Sequence, residues 1–312
     1  VDAWGVDYGL VDTEGDLLED PICYRDERTA GVMERALEIL SREALFEATG
    51  IQLLRLNTIF QLMAHCAERL PARANRLLLM PDLCHHVLSG STTTEPTNAS
   101  TPQLLNVKTG LWDEGVMSAL GLPMGLLPPL LPAGTALGPL RDDVRGRFTL
   151  PPPTVIQPAT HDTASAVAAT PLEREWAFIS SGTWSLVGIE RRAPLRNAEV
   201  LMANITNERG VNGTFRFLKN VMGLWILDSC RREWANGGRP VDLPDLLAAA
   251  ARLPETPAFI DPDDSRFFNP STMVAEVQAA LKDRRQDVST DPASISASCS
   301  ILSRCGTPPC ST

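Results

Sequence analysis

His161-Asp162-Thr163-Ala164-Ser165-Ala166-Val167 and, a short way beyond it, Phe178-Ile179-Ser180-Ser181-Gly182-Thr183-Trp184-Ser185-Leu186 decide how this chain reads. The first stretch follows a short apolar run at 154–157 and opens a helix of small residues predicted over 163–169. An acid at a strand end, at the mouth of a helix whose free N–H groups favour negative charge, is placed to take a proton from a hydroxyl. Small helical residues let a ligand approach closely. An ordinary helix cap is the alternative reading of Asp162, since Asp is a favoured capping residue. The second stretch predicts a hairpin with strands over 176–180 and 184–190. Its Ser181-Gly182-Thr183 turn offers hydroxyls and backbone N–H groups to an anion such as phosphate, although such a turn is commonly no more than a turn. No Gly-x4-Gly-Lys-Ser/Thr phosphate loop occurs in the sequence.

Outward from these two stretches the pattern is mixed α/β. Residues 1–11 read as a strand, 12–16 as a turn and 17–24 as a second strand. Helices are predicted over 29–40 and 41–49, the latter closed by Gly50 at a position that wants positive φ. Further helices fall at 57–70, 81–90 and 112–120, with a short buried run at 76–80. Residues 122–153 are rich in proline and glycine. On the other side, 203–206 and 214–218 form a hairpin across Asn212-Gly213, a strong turn signal. Helices at 220–235, 243–252 and 270–282 complete the pattern.

Composition narrows the function. Lys and Arg number 28 against 38 Asp and Glu, a formal charge of −10. That balance repels nucleic acid and anionic membrane surfaces and favours a small-molecule partner. The leucine-rich stretch near 126–131 is short and broken by prolines, so no membrane span is expected. Seven scattered cysteines without a Cys-x-x-Cys pair fit a reduced, cytoplasmic protein. Cys84-His85-His86 has metal-ligand residue types, but neighbours on a helix point apart, and no metal site is expected. Arg28 could reach a sugar hydroxyl, a salt bridge being the commoner use. Trp4, Trp184 and Trp225 read as core, with Trp4 next to the candidate ligand strand.

The two deciding stretches, HDTASAV at 161–167 and ISSGTWSLVG at 179–188, closely resemble the rhamnulokinase branch of the FGGY family of carbohydrate kinases, in the actin-like superfamily. The likeness continues in DAWGVDYGLVD (2–12), YRDERT (24–29), GIQLLRLNTIFQL (50–62), LLMPDL (78–83), TNASTPQLLN (97–106), ANITNERG (203–210) and FLKNVMGLW (217–225). It implies an α/β, actin-like (ribonuclease H-like) two-lobed sugar kinase. Residues 1–165 would belong to its N-terminal domain and 166–287 to the start of its C-terminal domain. It implies transfer of the ATP γ-phosphoryl group to L-rhamnulose, giving L-rhamnulose 1-phosphate, with Mg²⁺ bridging the phosphates. Asp162 matches the family's general base. Gly5, His161, Thr163 and Asn220 match positions that hold the sugar, and Thr183 matches a contact to ATP.

The family's Asp-x-Gly-x-x-Ser-x-Arg phosphate loop and its glycine-rich adenosine motif have no counterpart in the sequence, which reads as truncated at both ends. Asp228 stands where a glutamine contacting ATP is expected, and a carboxylate there repels phosphates unless a metal or basic group intervenes. Residues 288–312, rich in Ser, Thr, Pro and Cys and holding Cys299, Cys305 and Cys310, read as a disordered tail. A kinase for another ketose (fuculose or xylulose) and a non-catalytic sugar-binding remnant are the competing readings.

Overall fold

The computed structural model describes residues 1–146, 151, 153–173, 176–253 and 258–299. The chain divides into two compact units: Val1–Phe178 with Gly188–Lys219, and Ile179–Val187 with the chain from Asn220 onward.

In the first unit, β1 (Tyr8–Val11) pairs antiparallel with β2 (Arg76–Leu79), in a register from Tyr8 opposite Leu79 to Val11 opposite Arg76. Leu77-Leu78-Leu79 is an unbroken apolar run because the strand is buried on both faces. Leu10 and Leu79 pack with Ile59, Phe60 and Leu62 of the helix Thr58–Glu68, and with Leu104 and Met117. Each such fully buried side chain contributes about 1.5–3 kcal/mol. The helix Arg42–Thr49 starts at Ser41, whose Oγ accepts the Ala44 N–H (3.2 Å). It ends at Gly50, φ 70°, whose N–H returns to the Phe46 carbonyl (2.7 Å). Pro81 occupies the first turn of the helix Met80–Ser89.

The strand expected over 1–11 is regular only in its second half. Val6 sits at φ 69°, which breaks the ladder, and Ala3 instead forms a parallel bridge to His161. The strand expected over 17–24 shrinks to a single bridge from Leu17 to Val11. Pro21 then removes a ladder donor. β3 (Ala136–Pro139) and β4 (Thr154–Ile156) form a small antiparallel pair.

Strands β5 (Phe178–Ser181), β6 (Trp184–Arg191), β7 (Thr206–Arg209) and β8 (Phe215–Met222) follow the sheet order β5-β6-β8-β7. The β7–β8 hairpin turns through Asn212 and Gly213, both at positive φ (57° and 78°), as the Asn-Gly signal requires. Its first strand begins at Thr206 rather than 203. The helix expected from 220 starts at Leu224, so Asn220 lies on β8.

In the second unit, helices Leu224–Asn236, Met273–Asp283 and Pro292–Cys299 share a core of Ile226, Cys230, Phe267, Val277, Leu281 and Ile295. Trp184 and Trp225 pack against it. The stretch from 288, read as a disordered tail, thus carries a helix over Pro292–Cys299. Ile295 and Cys299, one turn apart, are enough to bury one face of it. Residues 300–312, with Cys305 and Cys310, lie outside the described residues.

Candidate active site

Asp162 is the first residue of the helix Asp162–Ala169, and His161, not Asp162, is its cap position. The capping alternative therefore fails. The carboxylate Oδ1 accepts from the N–H and the hydroxyl of the next residue, Thr163 (2.6 and 3.3 Å), and the side chain is half exposed at 53%. It is a solvated acid at a helix N-terminus, available to a ligand.

The segment that presents it is held from below. Ala3 N–H donates to the Thr160 carbonyl (3.0 Å) and Asp162 N–H donates to the Ala3 carbonyl (3.1 Å). This sets Ala3, two residues before Gly5, against the segment 160–162. A side chain on Gly5 would stand 3.0 Å from Thr101 Cβ, so only glycine lets the chain pass this close to Thr101. Thr101 Oγ1 also accepts the Val6 N–H (3.3 Å). Trp4, read as core, is 47% exposed, with its indole N–H donated to the buried Asp7 (3.0 Å). Burial pushes the Asp7 carboxyl above its ordinary range, against hydrogen bonds from Trp4 and Gln61. Arg28 donates to Gln61 Oε1 (2.9 Å) in the same cluster.

Beneath the segment lies a buried polar network that the sequence reading missed. Glu95 Oε2 accepts from the backbone N–H groups of Thr97 and Thr160 (both 3.0 Å) and from the Thr97 hydroxyl. Thr97 Oγ1 in turn accepts the His161 N–H (3.3 Å). Glu208 on β7 and Arg216 on β8 face each other across the hairpin and pair at 3.1 Å. Arg216 is wholly buried and also donates to the Arg209 and Thr97 carbonyls (3.0 and 3.3 Å). His161 lies between the charges, Nδ1 3.6 Å from Glu208 Oε2 and Nε2 3.5 Å from Asp162 Oδ1. Burial first, and the Arg216 charge second, hold its pKa well below the ordinary imidazole value, so the ring is neutral. Burial likewise lowers the Arg216 value, opposed chiefly by Glu208 and then Glu95. Glu208 and Arg216 sit at directly opposed hairpin positions, a pairing that register alone could have flagged. Glu95, between Thr94 and Pro96, carries no comparable mark.

Thr183, Asp228 and Asn220 belong to the second unit. The Ser181–Thr183 turn leads the chain back on itself, and Gly182 N–H is committed to the Trp184 carbonyl (2.8 Å). That donor is therefore not offered to an anion, contrary to the expectation for this turn. The carbonyls of Gly182 and Thr183 accept the Leu224 and Trp225 N–H groups (both 3.1 Å), satisfying the start of the helix Leu224–Asn236. The turn is thereby seated on the helix that carries Asp228. A side chain on Gly223 would lie 3.0 Å from Ser185 N, which keeps this junction tight. Thr183 is exposed. Asp228, 63% exposed, accepts from Arg231 Nη1 (3.0 Å), the basic neighbour that offsets its charge. Asn220 is half-buried on β8.

His85 and His86 are buried while Cys84 is exposed, and both ring nitrogens of His86 face backbone carbonyls, of Gly15 (2.8 Å) and Ser91 (3.0 Å). Among the described residues no group of three or more His, Cys, Asp or Glu could hold a metal ion, and no helix is long and apolar enough to cross a membrane.

Residues 1–169 match the model of the FGGY family of carbohydrate kinases, N-terminal domain, and residues 177–300 match that of its C-terminal domain. The chain belongs to the FGGY family of carbohydrate kinases. Among its relatives are the rhamnulokinase of Enterococcus faecalis, 43% identical over 94% of this chain and 58% of its own length, and that of Ligilactobacillus salivarius, 39% identical over 95% and 60%. The chain thus spans about three fifths of the length of these relatives. Solved structures with the same fold include a xylulose kinase from Lactobacillus acidophilus, TM-score 0.68 at 15% identity over 81% of this chain and 51% of that one. A Plasmodium falciparum glycerol kinase with ADP gives a TM-score of 0.65 at 14% identity, over 85% and 54%.

Proposed function

We propose that this chain carries the sugar-binding and base-bearing parts of an ATP-dependent kinase that converts L-rhamnulose to L-rhamnulose 1-phosphate. The observation that carries the reading is Asp162, half exposed at a helix start beside a neutral His161 and held by Ala3. The names of its relatives at about 40% identity supply the sugar. Asp162 takes the proton of the primary hydroxyl as that oxygen attacks the γ-phosphorus of ATP, and the bond from the γ-phosphorus to the β,γ-bridging oxygen breaks. Gly5, His161, Thr163 and Asn220 hold the sugar, and Thr183 contacts ATP. The Asp228–Arg231 pair presents a compensated charge to the nucleotide rather than a bare carboxylate. Mg²⁺ supplied with ATP would neutralise charge on the transferring phosphoryl group. The acidic chain, with small ligands and no nucleic-acid or membrane partner, works in the cytoplasm, where ATP is supplied.

Calorimetric titration of the 312-residue chain with L-rhamnulose, L-fuculose and D-xylulose tests the reading. L-rhamnulose is expected to bind at least about tenfold more tightly than the other two, a discrimination of about 1.4 kcal/mol. Tighter binding of either competitor would replace rhamnulose as the substrate. Binding of none of the three would remove the sugar site.

A further inference from the structure

We propose that Glu208, held in place by Arg216, is a positioning residue that fixes His161 as the Nδ1–H tautomer and so makes Nε2 a hydrogen-bond acceptor beside Asp162. The inference rests on the kinase reading only for what the acceptor binds. The tautomer itself follows from the first unit alone.

His161 has a carboxylate at each ring nitrogen, at almost the same distance: Glu208 Oε2 3.6 Å from Nδ1 and Asp162 Oδ1 3.5 Å from Nε2. A neutral ring has one proton to give, and distance does not decide which side receives it. Solvation does. The Glu208 side chain is 5% exposed and that of Asp162 53%. A charge acts several-fold more strongly through a protein interior than through water. A bare Nδ1 would oppose its lone pair to a buried anionic oxygen with no solvent to screen it, so the proton belongs on Nδ1. Asp162 is open to solvent and accepts the Thr163 N–H and hydroxyl (2.6 and 3.3 Å), so an unprotonated Nε2 opposite it costs little.

Glu208 cannot swing away to relieve the contact. It stands directly across the hairpin from Arg216, whose Nη2 lies 3.1 Å from the same Oε2. Arg216 is fixed in turn by the Arg209 and Thr97 carbonyls. Thr97 closes the loop, because its hydroxyl accepts the His161 backbone N–H (3.3 Å). One hairpin pair therefore sets both the ring's position and its proton. Nε2 and the Asp162 carboxylate are then two adjacent acceptors, suited to two neighbouring hydroxyl donors on a polyhydroxylated ligand. A ligand lacking one of those hydroxyls leaves an acceptor unpaired.

Two-dimensional ¹⁵N–¹H spectra of the 312-residue chain resolve the imidazole tautomers, and its 4 histidines are few enough to assign His161 by comparison with His161→Asn. In the parent chain His161 is expected to carry its proton on Nδ1 with a bare Nε2. Glu208→Gln, whose amide can donate as well as accept, is expected to spread the proton over both nitrogens. It is also expected to raise the L-rhamnulose dissociation constant about tenfold, roughly the loss of one good hydrogen bond. If Glu208→Gln fails to fold with Arg216 left unpaired, the double variant E208M/R216M removes both charges and the acceptor together. Its ring is expected to move to Nε2–H. An Nε2–H ring in the parent chain overturns the proposal, as does an Nδ1–H ring that survives in the folded variants. An Nδ1–H ring that shifts as expected, in a chain that binds no L-rhamnulose, leaves the tautomer assignment standing and removes the kinase reading instead.

Discussion

The segment around Asp162 and the turn around Thr183 are both short connections ahead of a helix, yet they are built on opposite plans. The first rests on buried charge. Glu95 gathers three donors onto one oxygen at or within 3.0 Å, and Glu208 and Arg216 lie beneath His161 with almost no exposure. The second rests on backbone. Its carbonyls cap the helix Leu224–Asn236, while Thr183 and Asp228 remain exposed. Charged hydrogen bonds in a low-dielectric interior fix a geometry tightly and are costly to leave unmade. Backbone seating with exposed side chains tolerates change. A general base must hold its position to a fraction of an ångström, whereas a group touching a flexible, solvated polyphosphate need not. The two plans fit the tasks proposed for them, a base at Asp162 and an ATP contact at Thr183.

The contrast can be broken by substitution, most severely at Asp162. Asp162→Asn keeps the shape and the Thr163 contact and removes the base. In a background of the relatives' full length, phosphoryl transfer from ATP to L-rhamnulose, followed by ADP release, is expected to fall by about 100- to 10,000-fold. Sugar affinity measured by calorimetry should stay within a few-fold. A rate within a few-fold of the parent would take the base role from Asp162.

Next in size is the support beneath it. Glu95→Gln strips charge assistance from the bonds to Thr97 and Thr160 and takes one carboxylate from the surroundings of Arg216. Urea unfolding is expected to show a loss of about 1.5–3 kcal/mol, the usual worth of a hydrogen bond to a buried charged group. An unchanged midpoint would mean that the network does not hold the segment. The smallest effect belongs to the other plan. Asp228→Gln removes only an exposed pair with Arg231, and stability is expected to stay within about 0.5 kcal/mol. Mg-ATP binding by calorimetry should be equal or tighter once the carboxylate is gone. Weaker binding would show that the Asp228–Arg231 pair itself engages the nucleotide.

Sequence patterns made most of the elements legible. The Ser41 and Gly50 signals bounded a helix closely, the Asn212-Gly213 turn fixed a hairpin, and the small-residue run after Asp162 marked its helix. Misreadings arose where a local pattern was overruled from elsewhere in the chain. Val6 at φ 69° interrupts what looks like one strand because the segment ahead of it pairs with His161 instead of continuing the ladder. Asn220 looked helical by position but extends β8, since the chain does not turn until Gly223. The candidate site was readable only for residues within recognisable motifs. Glu208 and Arg216 oppose each other in a hairpin whose register could have paired them, but their contacts to His161 and Thr97, and those of Glu95 to Thr160, join segments far apart in the sequence.

The first unit takes Gly188–Lys219 from the region matched by the C-terminal family model, so order along the chain and order in space part company here. The gap between the two family matches, after residue 169, invites dissection, yet a cut there would not release a self-sufficient piece. It would carry off Asn207, whose backbone N–H and Nδ2 both donate to the Gly50 carbonyl (2.8 and 3.0 Å). It would also carry off Arg209, whose N–H donates to Ser100 Oγ (2.9 Å), and with it the Glu208–Arg216 pair. A separately expressed N-terminal piece would expose the underside of its own reactive segment to water. The gap between the two family matches is therefore not a border of folding, and a piece that keeps the Glu208–Arg216 pair beneath His161 reaches at least to Arg216.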